Sequence, residues 1–314
     1  NMLPEFYADL YNQFQTYARN YGDNKLYKIA GGANTDDYRW TEVLMKKSER
    51  HMHGLSLHYY TVPGTWQDKG AATEFGERDW FVTMKKATYM DELLTRHSTE
   101  MDRYDPNKRV GIIVDEWGNW FNVEPGTNPG FLYQQNTMRD ALVAAVNLHI
   151  FHKHCNRVQM ANIAQMVNVL QAVILTEGSK MLRTPTYHVL QMYNVHQDAE
   201  ALAVHGEFGQ YGFEGEEGSL AQVGVTASKK DGVVHVSLYN VNPTEATDIE
   251  VELRGSEGSI SYEGTILAAS DIRAHNTFNQ TNAVAPQPFN GAELKGGKLK
   301  VSLPAASVVV LKLK

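Results

Sequence analysis

Cysteine is nearly absent. Cys155 stands alone among 314 residues, which excludes an internal disulfide framework and leaves the compartment open. No uninterrupted apolar run approaches the roughly 20 residues of a membrane span. No basic block points to nucleic acid, and the formal net charge is a mildly acidic −7. Repeats and low-complexity tracts are missing. So are the G-x-S-x-G elbow of serine hydrolases and the Walker and dinucleotide glycine loops. What remains is an ordinary composition, 42% hydrophobic, and a set of carboxylates as the candidate chemistry. Asn1 is not an initiator and no signal peptide is visible, so the numbering is expected to begin inside a longer chain, cytoplasmic rather than exported.

The first 197 residues alternate helix-like and strand-like segments. Pro4 suits a first helical turn, and Phe6, Leu10, Phe14 and Tyr17 come after it at helical spacing. Strands are expected over 26–30 (ended by Gly31-Gly32), 54–60, 110–114 and 158–163. Helices are expected over 40–50, 80–97, 134–152 and 186–196. The loop at 61–79 is long enough to be functional. Four strands, each followed by a helix or long loop, predict a parallel sheet. They also amount to half of an eight-stranded barrel, and four strands cannot close one. After residue 198, Val234, Val236 and Leu238 alternate with polar residues, as do Ile249, Val251 and Leu253, and Val309, Leu311 and Leu313. That predicts an all-β domain over 198–314, a sandwich. The acidic turn at 214–217 reads as solvated surface.

The run at 111–120 is the most informative. An apolar strand ends in Asp115 and Glu116, with Trp117, Trp120 and Phe121 close behind. In an α/β barrel, catalytic groups project from strand C-termini. Acids among aromatics suit a sugar, whose C–H faces stack on rings while its hydroxyls meet carboxylates. The bland alternative is that Glu116 caps a helix or makes a salt bridge. The other strands end in Asn34, in His58-Tyr59-Tyr60, and near Asn162 and Gln165. His58 orients a carboxylate or is a core histidine; Tyr60 donates to a carboxylate or packs; Gln165 binds a hydroxyl or packs. A rival cluster, His149, His152, His154 and Cys155, has metal-ligand chemistry but no familiar zinc spacing; its position at a helix end suits the helix dipole instead. Glycoside hydrolysis needs a second carboxyl. Glu74, Glu77 and Glu124 lie in loops, and none ends a strand.

Several runs in order resemble glycoside hydrolase family 51 α-L-arabinofuranosidases, over nearly the whole chain: 29–37 (IAGGANTDD), 55–61 (LSLHYYT), 114–120 (VDEWGNW), 125–130 (PGTNPG), 161–168 (ANIAQMVN) and 303–310 (LPAASVVV). The resemblance implies an α/β plus all-β chain: the second half, strands 5–8, of a clan-A (β/α)8 TIM barrel over 1–197, then a C-terminal β-sandwich over 198–314. It implies retaining, exo-acting release of terminal arabinofuranosyl groups from arabinan, arabinoxylan or their oligosaccharides. Glu116 matches the family nucleophile. Tyr60 matches a tyrosine touching that nucleophile, with Tyr59 next if the alignment slips. His58 matches an active-site histidine and Gln165 a glutamine on the arabinosyl ring, while Trp117 joins them as a substrate contact. No metal or organic cofactor is implied. The family's acid/base glutamate comes directly after an asparagine, and this sequence has no Asn-Glu pair. The segment 1–9 resembles the stretch just downstream of that motif, so the acid/base is expected upstream of this chain, with strands 1–4. The implied partners are an arabinofuranosyl glycan, the N-terminal half of the barrel as a missing segment or separate chain, and further copies in a homo-oligomer; no nucleic acid and no membrane. The alternative is a catalytically incomplete sugar-binding or structural fragment.

Overall fold

A computed structural model describes residues 2–255, 261–295 and 298–314. Asn1, and residues 256–260 and 296–297 of the expected sandwich, lie outside the described residues. Contacts gather into two compact units. One comprises Asn1–Tyr60, Tyr89–Trp117 and Ile150–Ala164, the other Thr61–Thr88, Gly118–His149 and Gln165–Lys314. The division therefore does not fall at the expected boundary of 197/198. Segments 61–88, 118–149 and 165–197 cluster with the C-terminal strands. Within that second unit Trp80 donates its indole N–H to Val241 O at 2.8 Å, and Phe81 packs edge-on against Tyr211.

The first unit is built on a four-stranded sheet in the order β1 (Ile29–Asn34), β2 (Gly54–Thr61), β3 (Gly111–Asn119) and β4 (Val158–Ile163). Pairing is parallel between β1 and β2 and between β3 and β4. The first strand lies later than its sequence suggested, and Gly31-Gly32 is inside it. The pairing slips between Ala30 and Ala33, and a methyl on Gly32 would come within 1.6 Å of Ser56 O. Glycine is there because the two backbones nearly touch. β3 also runs further than expected, so Asp115 and Glu116 lie inside a strand whose pairing slips between Val114 and Trp117. Such a slip lets consecutive side chains depart from strict alternation.

The start of β3 is anchored by a buried ion pair. Arg157 and Asp105, at 1% and 5% exposure, meet at 3.0 Å, and Asp105 also takes the Val110 N–H at 2.7 Å. Burial works against that carboxyl's charge, but the N–H groups of Val110 and Arg109 and the guanidinium outweigh it, holding its pKa below the ordinary value.

The helices differ from the periodic reading in instructive ways. The first, α1 (Pro4–Phe14), buries Pro4 and Ala8, whereas Phe6, Phe14 and Tyr17 are exposed. α2 spans Tyr38–Ser48, capped by Asp37. The single helix expected over 80–97 is two, α3 (Glu77–Ala87) and α4 (Tyr89–Asp102), interrupted at Thr88, whose hydroxyl donates to Lys85 O. α5 (Met138–Lys153) starts later than expected, because Gln134, Asn136 and Thr137 form a buried loop before it. α6 spans Pro185–Tyr193, preceded by a hairpin, Ile174–Glu177 with Lys180–Arg183, that periodicity did not reveal.

In the second unit a six-stranded antiparallel sheet runs, in spatial order, through Gln287–Pro288, Tyr262–Ala268, Ser307–Leu313, Val233–Asn240, Val223–Lys230 and Glu200–Leu202. A three-stranded sheet orders Thr247–Glu252, Lys298–Leu303 and Ala292–Lys295. Val236, Leu238, Val309 and Leu311 of the first share one core with Leu299, Val301 and Leu303 of the second, which is consistent with a β-sandwich.

Gly32→Ala is expected to destabilise the protein by about 3 kcal/mol, because backbone rather than a flexible side chain stands in the way. Urea unfolding monitored by far-UV circular dichroism measures it. A loss under about 0.5 kcal/mol, the scale of a neutral surface change, would show that the β1–β2 approach relaxes freely.

Candidate active site

β2 and β3 of the first unit bring four polar side chains together. Tyr60, at the end of β2, donates its hydroxyl to Glu116 Oε2 at 2.9 Å. His58, two residues earlier on the same strand, places Nε2 2.8 Å from Asp115 Oδ1 and Nδ1 3.8 Å from Glu116 Oε2. The imidazole thus stands between two carboxylates that are neighbours in sequence. The side chains of His58, Asp115 and Glu116 keep between a third and a half of their surface open. Asn34, at the end of β1, lies in register with His58.

The electrostatics stem from partial burial of two adjacent acids. Burial raises the Asp115 pKa; the His58 ring pulls it back, and the charge of Glu116 adds to the rise. For Tyr60, burial first, then the bond to Glu116 and the two acid charges, drives the phenol pKa well above its ordinary value. Tyr60 is therefore a hydrogen-bond donor throughout the pH range in which proteins work. Glu116 has one oxygen, Oε2, fixed by that donor. The arrangement offers a positioned carboxylate on an open face, the equipment of a nucleophile or a base.

The other expected contacts are placed differently. Trp117 is only 1% exposed, with its ring edge-on to Phe151 at 5.2 Å, so its indole is a core group and not a ligand contact. Trp120, three residues on and also among the aromatics expected beside the acids, is half-buried. Gln165 belongs to the second unit and is exposed. In that unit Glu77 takes the Tyr211 hydroxyl at 3.3 Å, and Glu124 takes the Gln135 N–H at 3.0 Å. The histidine cluster is dispersed among other partners. His149 bonds the Tyr193 hydroxyl at 2.7 Å. His154 meets Asp91 at 2.6 Å, and burial pushes His152 down to about 4. Among the described residues no three His, Cys, Asp or Glu side chains gather as a metal group.

A polar network beyond Glu116 went unread in the sequence. Gly118 has φ +130°, and a methyl there would meet Gln171 Oε1 at 2.8 Å; the same oxygen takes the Asn119 N–H at 2.6 Å. The Asn119 side chain donates to the buried Asp140 at 2.9 Å. These groups fix the end of β3. The signal for them is the glycine–asparagine pair directly after the aromatic, where a positive φ calls for glycine.

Comparison with known proteins gives a consistent picture. Residues 115–307 match the family model described as the alpha-L-arabinofuranosidase C-terminal domain. An intracellular exo-alpha-L-arabinofuranosidase of Bacteroides ovatus is 48% identical over all 314 residues, which cover 61% of that protein. An exo-alpha-(1->6)-L-arabinofuranosidase of Bifidobacterium longum is 24% identical over 88% of this chain, covering 55% of its own. Among solved structures, the GH51 arabinofuranosidase of Xanthomonas axonopodis pv. citri superposes with TM-score 0.97 at 47% identity, over the whole of this chain and 63% of that one. The Thermotoga maritima alpha-L-arabinofuranosidase shares the fold, with TM-score 0.81 at 20% identity, over 99% of this chain and 62% of that one. The chain thus spans about three fifths or less of the length of these relatives.

The raised pKa of Asp115 carries a sign. Its folded value lies above the unfolded one near 3.8, so the unfolded chain releases that proton first. Stability falls as pH rises through the interval between the two values, and at pH 7 the ionised carboxyl is a net cost. Asp115→Asn is therefore expected to leave Tm at pH 7 unchanged or higher in scanning calorimetry. A clear fall in Tm would show that the His58–Asp115 attraction outweighs the burial of the acid.

Proposed function

Because this chain belongs to the glycoside hydrolase family 51 α-L-arabinofuranosidases, whose C-terminal part it matches, we propose that it supplies the nucleophile-bearing part of a retaining, exo-acting α-L-arabinofuranosidase. The observation that carries this reading is the bond from Tyr60 to Glu116 Oε2, with His58 beside the same oxygen. A half-exposed carboxylate with one oxygen held by a donor is positioned for attack. In this reading the four-stranded sheet is strands 5–8 of a (β/α)8 barrel and residues 198–314 are the sandwich behind it in the chain. The acid/base glutamate and strands 1–4 come from outside this chain.

The reaction runs in two displacements. Glu116 Oε1 attacks the anomeric carbon of a terminal arabinofuranosyl group. The acid/base carboxyl gives its proton to the glycosidic oxygen as the bond from that oxygen to the anomeric carbon breaks. The arabinosyl ester on Glu116 is then attacked by water, which the now ionised acid/base deprotonates, and arabinose leaves with its configuration retained. Tyr60 keeps Glu116 aimed. His58, anchored on Asp115, places an N–H-bearing ring beside the charge that Glu116 loses and regains. Gln165 binds a hydroxyl of the arabinosyl ring. No metal or organic cofactor takes part. The substrates are arabinofuranosyl-bearing oligo- or polysaccharides of the arabinan or arabinoxylan kind.

In the protein carrying this chain, Glu116→Ala is expected to lower turnover of an activated aryl arabinofuranoside by several orders of magnitude with the fold intact. Azide should restore product as the arabinosyl azide of inverted configuration, detected by NMR. Near-normal turnover without azide would sink the nucleophile assignment.

Tyr60→Phe is expected to lower kcat by roughly 10²-fold, the scale for a misplaced reacting group, with KM little changed. Gln165→Ala should instead cost about 1–3 kcal/mol in kcat/KM, as for a lost polar partner. Steady-state kinetics separate the two, and unchanged constants for both would return them to packing and surface.

A further inference from the structure

The run at 29–37 contributes no group to the reaction above, yet the turn that closes it is strained. Thr35, directly after β1, has φ +57° and is the only β-branched residue with positive φ among the described residues. A branched Cβ crowds the backbone in that region, so such a residue persists only where its surroundings hold it. His97, on α4, does the holding. Its imidazole is 2% exposed, and Nε2 lies 2.7 Å from Thr35 O. Nδ1 lies 2.8 Å from the hydroxyl of Thr41, a buried residue of α2. Tyr38 leans over the ring, with centroids 4.6 Å apart.

These partners fix the proton on the ring. A carbonyl oxygen only accepts, so Nε2 carries the hydrogen and donates to Thr35 O. Burial lowers the His97 pKa by more than the Thr35 carbonyl and the charges of Asp37 and Asp36 raise it. The ring is therefore neutral, and Nδ1 accepts from the Thr41 hydroxyl. Thr35 passes the constraint on. Its own N–H donates to His58 O at 2.8 Å, beside the place where Asn34 and His58 pair in register. Both peptide groups flanking Thr35 are thus engaged, one against His97 and the other against the backbone of His58. The side chain of that same His58 meets Asp115 at 2.8 Å and stands 3.8 Å from Glu116 Oε2. Every member of this chain of contacts belongs to the first unit.

We propose that His97 is a positioning residue for the two acids: by holding Thr35 in its left-handed conformation it fixes the end of β1 against the backbone of His58, and so sets where the His58 imidazole stands between Asp115 and Glu116. His97 touches neither acid and acts only through that backbone. A histidine present for packing alone would have no need to spend its one N–H on a strained residue, with its other nitrogen occupied as well. Errors of position are costly where a reacting group must be aimed, and a small displacement far from the chemistry is enough to slow it. The effect on catalysis rests on the reading of Glu116 as the nucleophile; the hold of His97 on His58 does not.

Two readouts on the protein carrying this chain test it. The first is steady-state hydrolysis of an activated aryl arabinofuranoside. His97→Asn, whose amide reaches the place of Nδ1 but not Thr35 O, should lower kcat about tenfold with KM little changed. His97→Gln, whose amide nitrogen takes the place of Nε2, should keep most of the parent rate. Thr35→Gly added to His97→Asn should recover most of the loss, because glycine adopts φ +57° without being held. Damage to packing at 97 would not be repaired by a change at 35. The second readout needs no activity. Diethyl pyrocarbonate labels accessible imidazoles, and mass spectrometry compares His58 with the exposed His51. His58 should be labelled faster in His97→Asn than in the parent, and at the parent rate in His97→Gln. Where circular dichroism shows His97→Asn unfolded, Thr41→Val replaces it: the ring loses its second anchor, and kcat and labelling should move the same way, again relieved by Thr35→Gly. In an active parent, a change in either readout without the other, or in neither, overturns the proposal, as does a loss that Thr35→Gly leaves unrepaired. A parent that hydrolyses no aryl arabinofuranoside loses the nucleophile reading, while the labelling still decides whether His97 holds His58.

Discussion

Two ionisable acids in succession on a strand flanked by buried residues are the condition to which the first unit answers. Asp115 and Glu116 repel one another, and the apolar run before them offers nothing to solvate either. The compensation comes from one neighbouring strand, β2, which contributes His58 and Tyr60 two residues apart. Side chains at that spacing share a face of a strand. A single stretch of backbone thus sets both partners, and the slipped pairing in β3 allows both acids to turn toward them. Displace β2 by one residue and both contacts are lost together. The close approach of Gly32 to Ser56 and the Arg157–Asp105 pair at the foot of β3 hold the strands to the register that the acids need.

Much of this was legible beforehand, and for an identifiable reason. Residues 158–163 and 54–60 are short, β-branched or apolar runs between turn signals, and the strands fall there or within a residue. The mixed α/β region with alternating β segments after it was equally plain. The polar and aromatic groups at strand ends pointed to His58, Tyr60 and Glu116, which the fold brings within reach of each other. Harder to read were places where polar contacts overrule periodicity. The glycines at 31 and 32 look like a strand terminator, and only the partner backbone reveals them as its middle. Trp117 looked like a ligand contact because it adjoins Glu116, but it is buried edge-on against Phe151. The apolar stripe of α1 is exposed at Phe6 and Phe14, which no pattern along the chain could disclose.

The second unit obeys a different logic around its irregular segments. Its strands are ordered by a shared core of Leu, Val and Phe, as alternation announces. Segments without regular structure are ordered instead by single cations given many acceptors. Arg139 donates to the carbonyls of Ala71 and Ala72, and Lys86, on α3, to those of Val62, Pro63 and Gly64. No strand or helix satisfies these groups, and buried carbonyls must be satisfied somewhere. Burial lowers the pKa of both, and the nearby acids Asp140 and Glu216 work against that fall. Such devices leave almost no trace in composition, since a lysine or arginine on a helix reads by default as solvated surface.

Lys86 also bears on how the loop after β2 can change over generations. Its ammonium collects three consecutive carbonyls, so the path of the chain at 62–64 is fixed to within the reach of one side chain. An added or deleted residue there would strand at least one acceptor and withdraw the clasp from the rest. Surface loops usually diversify by length, but this one is confined to exchange of side chains at constant length. Variation at the tip would therefore be written at exposed positions such as 66, one residue at a time, on an unaltered backbone.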